Sequence, residues 1–251
     1  MHTRFVCGIV TAALTLFVAC RSSAPADGTA AKADKKVLVV DIGGTSVKIL
    51  ATGQNAPRSF PSGPSMTPAE MIAGVDALAK GWEYDVVSIG YPGRVTRGNV
   101  VAEPHNLAPG WVGFDFHAAF KRPVQVVNDA AMQALGSYQG GTMLFLGLGT
   151  GLGSALVVEG NVVPMELGHL SYQDATYEDY VGIRGLQKLG KEQWEQHVQS
   201  IVARFVEALN PDDVVLGGGN VARLTKLPLR CRAGSNDNAF TGGFRLWEAR
   251  R

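Results

Sequence analysis

Two glycine-rich turns, each placed between two apolar strands, constrain the fold of this chain more than any other feature. The first is Gly43-Gly44 in VLVVDIGGTSVKILATG, and the second is Gly149-Thr150-Gly151 in TMLFLGLGTGLGSALVVEG. The residues after each turn are β-branched or alternate in polarity, which predicts a returning strand rather than a helix. A unit that repeats after about a hundred residues predicts two related lobes.

Neither turn matches the nucleotide-binding loops that precede a helix. The dinucleotide fingerprint needs a third glycine where Leu152 stands, and no P-loop pattern occurs. A hairpin turn of small residues can still direct several backbone N–H groups at one anion, although each turn alone is more simply a plain hairpin. A third glycine run, LGGGN, follows another predicted strand, and the three runs together predict one phosphate-binding site. Its predicted members are Gly43, Gly44, Thr45, Lys48, Gly149, Thr150, Gly151, Gly217, Gly218 and Gly219.

Two aspartates stand at the ends of predicted strands. Asp41 directly precedes the first turn, where a carboxylate is compatible with a phosphate if Mg²⁺ lies between them, directly or through water. Asp129, in VVNDAA, stands where a strand ends and a helix begins, and it could accept a proton from an attacking substrate hydroxyl. Each has a structural alternative, because Asp41 can close a turn and Asn128 or Asp129 can cap a helix.

The segment ELGHL places Glu166 and His169 three residues apart. Both side chains can hydrogen-bond neighbouring hydroxyls of a sugar ring, while a loop with a structural histidine is the alternative. The zinc-protease pattern H-E-x-x-H is absent. Three cysteines, two of them near the N-terminus, are too few for a disulfide framework or a four-cysteine zinc site.

The first 36 residues are predicted to lie outside the folded part. An apolar or small stretch from Phe5 to Ala19 has the length of a signal-peptide core and ends at Cys20. It resembles a bacterial lipoprotein signal over residues 1–20, with lipidation of Cys20, followed by a disordered linker over residues 21–36. The protein would then be exported and anchored to a membrane. The alternatives are an ordinary cleaved signal, or a misassigned start codon and a cytoplasmic protein.

The remainder alternates strands with helices, which places it in the α/β class. Helices are predicted at Pro68–Lys80 and Leu186–Leu209, and strands at Val86–Gly90, Pro123–Asp129 and Asp213–Asn220. A hydrophobic fraction of 46% is enough to bury one large core or two lobes. The net charge is +1 and no run of Lys or Arg suggests a nucleic-acid groove, so no nucleic-acid partner is expected.

Taken in order, these motifs resemble the ROK family of sugar kinases, and most narrowly its polyphosphate glucokinase branch. DIGGTSVK, GYPGRV, NL with Trp111 close behind, VVNDA, LGTGLGSAL, ELGHL, TYEDYVG, VVLGGGN and NAFTGGFRLWE span Val37 to Glu248. The resemblance implies an actin-like ATPase (ribonuclease H-like) fold with two lobes, as in hexokinase and Hsp70. The lobes are predicted at residues 37–127 and 128–251.

The resemblance also implies an activity, which is phosphoryl transfer from polyphosphate or ATP to the 6-hydroxyl of glucose. It makes Asp129 the base for that hydroxyl, and it assigns the other hydroxyls to Asn128, Glu166, His169 and Glu178. Mg²⁺ is the expected cofactor, with Asp41 as its ligand, and a homodimer is expected. A non-catalytic sugar-binding or sensor protein, or a phosphatase module on the same fold, is the alternative.

The chain departs from the wider family in the segment after Gly168-His169. Typical members carry a cysteine-rich zinc loop there, whereas this chain reads LSYQDATYEDYVGIRGL, so no zinc is expected. The polyphosphate glucokinase branch also lacks that loop. That branch usually has an acidic residue where Ala131 stands, and its loss is predicted to weaken the site without removing its chemistry.

Overall fold

The computed structural model describes residues 35–248, which form two five-stranded sheets connected by helices. The first part of the chain forms β1 (Val37–Ile42), β2 (Ser46–Ala51), β3 (Arg58–Pro61), α1 (Pro68–Leu78), β4 (Val86–Tyr91), β5 (Val95–Thr96), β6 (Asn99–Val100), α2 (Phe116–Phe120), β7 (Val124–Asn128) and α3 (Asp129–Ser137). The second part forms β8 (Thr142–Leu148), β9 (Leu152–Val158), β10 (Asn161–Met165), β11 (Ser171–Tyr172), β12 (Ala175–Thr176), α4 (Tyr177–Val181), α5 (Ile183–Leu209), β13 (Asp213–Gly217), β14 (Cys231–Ala233) and α6 (Asn238–Arg245). Short 3₁₀ turns occur at Leu167–His169 and Val221–Arg223.

The predicted signal segment with Cys20, and residues 21–34 of the predicted linker, lie outside the described residues. Lys36, which the sequence places in the linker, bonds to the fold: its carbonyl accepts a hydrogen bond from the Asp85 N–H at 2.7 Å, and its Nζ lies 2.6 Å from a Glu83 carboxylate oxygen. Over residues 35–248, none of the helices has both the length and the apolar character that crossing a membrane requires.

The two sheets have the same strand order and the same strand directions. The first is ordered β3-β2-β1-β4-β7, and the second β10-β9-β8-β13-β14. In each sheet the hairpin strands pair antiparallel, and the two later strands pair parallel beside the first hairpin strand. The duplication that the repeated hairpins predict is therefore confirmed in the topology.

Helix α1 covers the first sheet because its sequence carries both a start signal and an apolar face. Thr67 caps the helix in a capping box with Glu70, and Pro68 occupies the first turn, where it loses no hydrogen bond. Met71 and Val75 are fully buried in the core of the first sheet. The helix predicted at Pro68–Lys80 ends two residues earlier, at Leu78.

Helix α5 covers the second sheet and begins earlier than the sequence predicts, at Ile183 instead of Leu186. Gly190 has φ of 76° and ψ of 164°, which interrupts the helix and joins two shorter segments. Beyond the break, Trp194, Val198 and Phe205 are buried against the second sheet.

Helices α3 and α6 pack closely against each other because each presents a glycine to the other. A Cβ on Gly136 would collide with the Asn238 carbonyl oxygen, and a Cβ on Gly242 would collide with the Met132 carbonyl oxygen. Helix α6 also packs on the first sheet, where Ser88 Oγ donates a 2.6 Å hydrogen bond to the Gly243 carbonyl. A helix from the predicted C-terminal lobe therefore covers a sheet built by the N-terminal half of the chain.

Candidate active site

A cleft of about 670 Å³ lies where the first turns of the two sheets face each other, and it collects most of the predicted site residues. Those that line it are Gly44, Asn128, Asp129, Gly149, Thr150, Gly151, Glu166, His169, Glu178 and Gly218. Those that do not are Asp41, Gly43, Thr45, Lys48, Gly217 and Gly219. A second groove of about 800 Å³, beside β7, contains none of the predicted residues.

The first turn is closed tightly by its own backbone. The Gly43 N–H donates to the Ser46 carbonyl at 3.0 Å, and Ser62 Oγ donates to the Gly43 carbonyl at 2.6 Å. A Cβ on Gly44 would lie 3.0 Å from the Asn106 side chain, so glycine permits a close approach to the cleft wall at this position.

The second turn and the third glycine run contact each other directly. Asn220 Nδ2 donates to the Gly149 carbonyl at 2.8 Å, and the Asn220 N–H donates to the Leu148 carbonyl at 3.0 Å. Gly218 has φ of 84°, and a Cβ there would collide with the Leu148 carbonyl. Two of the three predicted glycine runs thus form one wall, and Gly44 brings the first turn to the same cleft.

Asp41 stands at the end of β1, opposite Lys48 of β2 in the hairpin register. Burial raises the pKa of the Asp41 carboxyl to about 6, and Lys48 opposes that shift. Among the described residues its carboxylate accepts no hydrogen bond, so the turn-closing alternative has no support in the geometry.

Asp129 is the first residue of α3, and its Oδ1 accepts a 2.8 Å hydrogen bond from the Ala130 N–H. Burial raises the pKa of the Asp129 carboxyl to about 7, with further contributions from the negative charges of Asp41 and Glu166. A carboxyl with a pKa near neutrality is suited to accept a proton during a reaction.

Asn128 is the residue that caps α3. Its Oδ1 accepts from the Ala131 N–H at 3.2 Å, and its Nδ2 donates to the Gly93 carbonyl at 3.0 Å. The capping role that the sequence left open for Asn128 or Asp129 therefore belongs to Asn128, and the Asp129 carboxylate is left facing the cleft.

The other predicted sugar ligands converge from the second sheet. Glu166 follows β10, and its Oε2 lies 3.7 Å from His169 Nδ1. Burial raises the pKa of Glu166, while His169 and Arg94 oppose the shift and Glu178 adds to it. Glu178 packs so closely on the second turn that a Cβ on Gly151 would collide with its Oε2. The residues predicted to bind sugar and those predicted to bind phosphate are therefore in direct contact, through Glu178 and Gly151.

Several residues that the sequence did not single out also line the cleft, namely Arg94, His105, Asn106, Gln133 and Arg184. Sequence features could have pointed to two of them. Asn106 belongs to the NL segment, and Gln133 lies one helical turn after Asp129 on the same face of α3. Gln133 Oε1 is buried, and none of the residues that the structure describes donates a hydrogen bond to it.

Aromatic packing occupies the segment after His169, where the resemblance implies a zinc loop in typical members of the family. Tyr172 stacks on Tyr177 with 5.0 Å between ring centroids, and its hydroxyl lies 3.1 Å from His197 Nδ1. Within residues 35–248, no group of three or more His, Cys, Asp or Glu side chains is placed to hold a metal ion.

Comparison with known proteins agrees with this arrangement. The ROK family model matches residues 37–185. The polyphosphate glucokinase of Mycobacterium leprae is 27% identical over 227 residues, which cover 79% of this chain and 68% of that protein. The inorganic polyphosphate/ATP-glucomannokinase of Arthrobacter sp. strain KM superposes with a TM-score of 0.70 at 24% identity, covering 84% of this chain and 97% of that one.

The ROK family glucokinase of Streptomyces griseus, solved with glucose and AMPPNP, gives a TM-score of 0.66 at 16% identity and covers 84% and 99% of the two chains. At these identities the structural likenesses show the fold. It is the two-lobed, actin-like ATPase fold that the motif order implies.

Proposed function

This chain belongs to the ROK family, and from that premise we propose that it is a sugar kinase that transfers a phosphoryl group from polyphosphate or ATP to the 6-hydroxyl of glucose. The product would be glucose 6-phosphate. Curated relatives named polyphosphate glucokinase support the choice of sugar and donor.

One observation carries the proposal: a carboxyl group with a pKa of about 7 shares a cleft with glycine turns from two different sheets. A protein that only bound sugar would need no such carboxyl beside a phosphate cradle. A phosphatase module would have no use for the Glu166 and His169 side chains.

In this proposal Asp129 accepts the proton of the 6-hydroxyl while that oxygen attacks the terminal phosphorus of the donor. The bond between that phosphorus and the bridging oxygen of the donor breaks, and the shortened donor leaves. Asn128, Glu166, His169 and Glu178 orient the sugar through its other hydroxyls. Backbone N–H groups of the two turns hold the phosphoryl oxygens, since this chemistry depends mainly on positioning and charge stabilisation.

Two acidic residues are compatible with the Mg²⁺ that the resemblance implies. Asp129 lines the cleft, and Asp41, which stands directly before the first turn without lining the cleft, is near enough for its charge to raise the Asp129 pKa. Mg²⁺ prefers oxygen ligands, keeps several waters, and is commonly held by one or two carboxylates together with substrate phosphates. Asp41 would hold the ion, directly or through water, and the ion would neutralise charge on the donor.

The test is a coupled assay for glucose 6-phosphate with the purified full chain, glucose and Mg²⁺, offering polyphosphate and ATP in separate reactions. Glucose 6-phosphate should form with at least one donor, and the donor should be consumed only when glucose is present. Sugar binding without turnover would indicate a sensor, and donor loss without glucose would indicate a phosphatase. Either result would contradict the proposal.

A further inference from the structure

Arg184 lies in the cleft at the point where the predicted sugar ligands meet the second glycine turn. Its Nη2 donates a 3.0 Å hydrogen bond to Asp179 Oδ1 and lies 3.7 Å from Glu178 Oε1. The second distance is too long for a hydrogen bond, so Glu178 attracts the guanidinium by charge without fixing it. The Arg184 side chain is 66% exposed and so remains free to reorient.

The hydrogen-bonding capacity of Arg184 is mostly unused. A guanidinium carries five N–H donors, and within the described residues this one makes a single hydrogen bond, to Asp179. Asp179 is itself fixed, because its Oδ2 accepts hydrogen bonds from Thr176 Oγ1 at 2.6 Å and from the Thr176 N–H at 3.2 Å. Arg184 is therefore anchored on one side and has donors available toward the cleft.

The backbone beside Arg184 is joined to the turn that would hold the donor. The Ile183 N–H donates to the Gly149 carbonyl at 3.0 Å and to the Thr150 carbonyl at 3.2 Å. Gly182 is packed so closely on the turn that a Cβ there would lie 2.5 Å from the Thr150 carbonyl oxygen. These contacts hold the start of α5, and with it the backbone of Arg184, against the second glycine turn, while the Arg184 side chain stays free to reorient.

We propose that Arg184 is a ligand of the donor phosphate chain, and that binding of sugar to Glu178 releases it for that role. The inference rests on the proposed function and adds a residue and a coupling to it. Without sugar, the negative charge of Glu178 attracts the guanidinium. When Glu178 accepts hydrogen bonds from sugar hydroxyls, that attraction weakens, and Arg184 turns toward the phosphate oxygens, with which it forms charge-assisted hydrogen bonds.

Such an arrangement makes binding of sugar and donor mutually dependent. If sugar increases the affinity for donor, donor must increase the affinity for sugar by the same factor. The coupling would also limit donor hydrolysis, because the donor is held firmly only when the acceptor hydroxyl is in place.

The experiment compares Arg184→Gln with Lys188→Gln in the full chain. Lys188 lies one helical turn further along α5, is exposed, and does not line the cleft. It also interacts electrostatically with Asp179, so its substitution removes the same charge near the same acid without changing the cleft lining. The dissociation constant of inorganic tripolyphosphate is measured calorimetrically in Mg²⁺ buffer, with and without glucose. The wild type and Lys188→Gln should bind tripolyphosphate more tightly when glucose is present.

Arg184→Gln should weaken tripolyphosphate binding about tenfold in the presence of glucose, and the effect of glucose should disappear. Equal tripolyphosphate affinities for the two variants, or an undiminished effect of glucose in Arg184→Gln, would overturn the inference. Arg184→Lys provides a second variant if the Gln variant does not fold. It keeps the charge but not the fork of donors, and should recover part of the affinity.

The proposed function is judged separately, by turnover of the wild type. A wild type that couples tripolyphosphate and glucose binding through Arg184 but forms no glucose 6-phosphate would refute the kinase proposal and leave this inference standing. If the wild type forms glucose 6-phosphate but the KM for the donor is unchanged in Arg184→Gln, the kinase proposal stands and the inference about Arg184 is refuted.

Discussion

The two hairpins of the molecule have the same topology but differ in charge at one matched position. In the first sheet, Asp41 pairs with Gly90 of the neighbouring parallel strand and with Lys48 across the hairpin. In the second sheet, Gly147 pairs with Gly217 in the same parallel relation, and with Gly153 across the hairpin. The two facing positions of the hairpin are therefore Asp41 and Lys48 in the first sheet, and Gly147 and Gly153 in the second.

Under the proposed function, this difference would let one duplicated scaffold bind an anion and also carry acid–base groups. The second turn offers backbone donors without a side-chain charge, braced by Asn220 and by the start of α5. The first half supplies the carboxylates: Asp41 before its turn, and Asp129 after its last parallel strand. Two equally acidic halves would repel a polyphosphate, and two uncharged halves would lack a base.

The largest expected effect comes from removing Asp129, the proposed base. Asp129→Asn should lower kcat about 10²- to 10⁴-fold, because the 6-hydroxyl loses its proton acceptor, while KM for glucose changes little. Steady-state kinetics of glucose 6-phosphate formation provide the measurement. Asp115→Asn, at the cap of α2 outside the cleft, should keep wild-type kinetics since Asn also caps well. Full activity in Asp129→Asn would refute the assignment.

The next effect tests the asymmetry itself. Asp41→Asn removes the carboxylate from the first hairpin, at the position that Gly147 occupies in the second, and should lower activity about 10- to 100-fold at fixed Mg²⁺. Titration with Mg²⁺ should show a raised requirement for the ion, with the sugar KM little affected. An unchanged Mg²⁺ dependence would show that Asp41 does not hold the ion.

A smaller effect should appear on changing pH. Since burial raises the Asp129 pKa to about 7, kcat/KM should fall roughly tenfold between pH 8 and pH 6 as the base becomes protonated. The stability effect has the opposite sign: the folded state retains a proton that the unfolded state, with a carboxyl pKa of 3.8, has lost. This group's contribution to stability is therefore present below pH 4 and is lost as pH rises through about 7.

A pH–rate profile and thermal unfolding at several pH values test both statements. Asp129→Asn should flatten the stability change over this range, apart from the part due to Asp41. A wild-type kcat/KM that stays constant from pH 8 to pH 6 would contradict a base with a raised pKa.

Much of the fold could be predicted from the sequence because its signals are local. The two hairpins, the capped helix after Thr67 and the strand before Asn128 all depend on neighbouring residues. The repeat predicted two related lobes, whereas the order of strands within each sheet came only from the structure. The packing of α6 on the first sheet could not be predicted in the same way, because Gly243 meets Ser88 across a sequence separation of 155 residues.

Candidate site residues could be predicted where a polar or acidic side chain follows the end of a predicted strand, and less easily elsewhere. Asp129 and Glu178 were assigned roles from their motifs. Arg94, although it belongs to the motif GYPGRV, and Arg184 were assigned none, because sequence does not reveal side-chain direction in loops or at helix starts. The raised pKa of Asp41 depends on burial by distant segments, which no local pattern records. Asn128 shows the converse case, since its capping role was visible from sequence and is present.

The position of α6 has a consequence for how the protein is made. Val37, Val39 and Val86 share a buried cluster with Ala239 and Phe240, which leave the ribosome long after the strands they cover. Until α6 emerges, the nascent first sheet presents an uncovered apolar face, the kind of surface on which newly made chains aggregate or recruit chaperones. Translation interrupted before residue 238 would release a product whose strands are complete but whose first sheet still exposes an aggregation-prone apolar face.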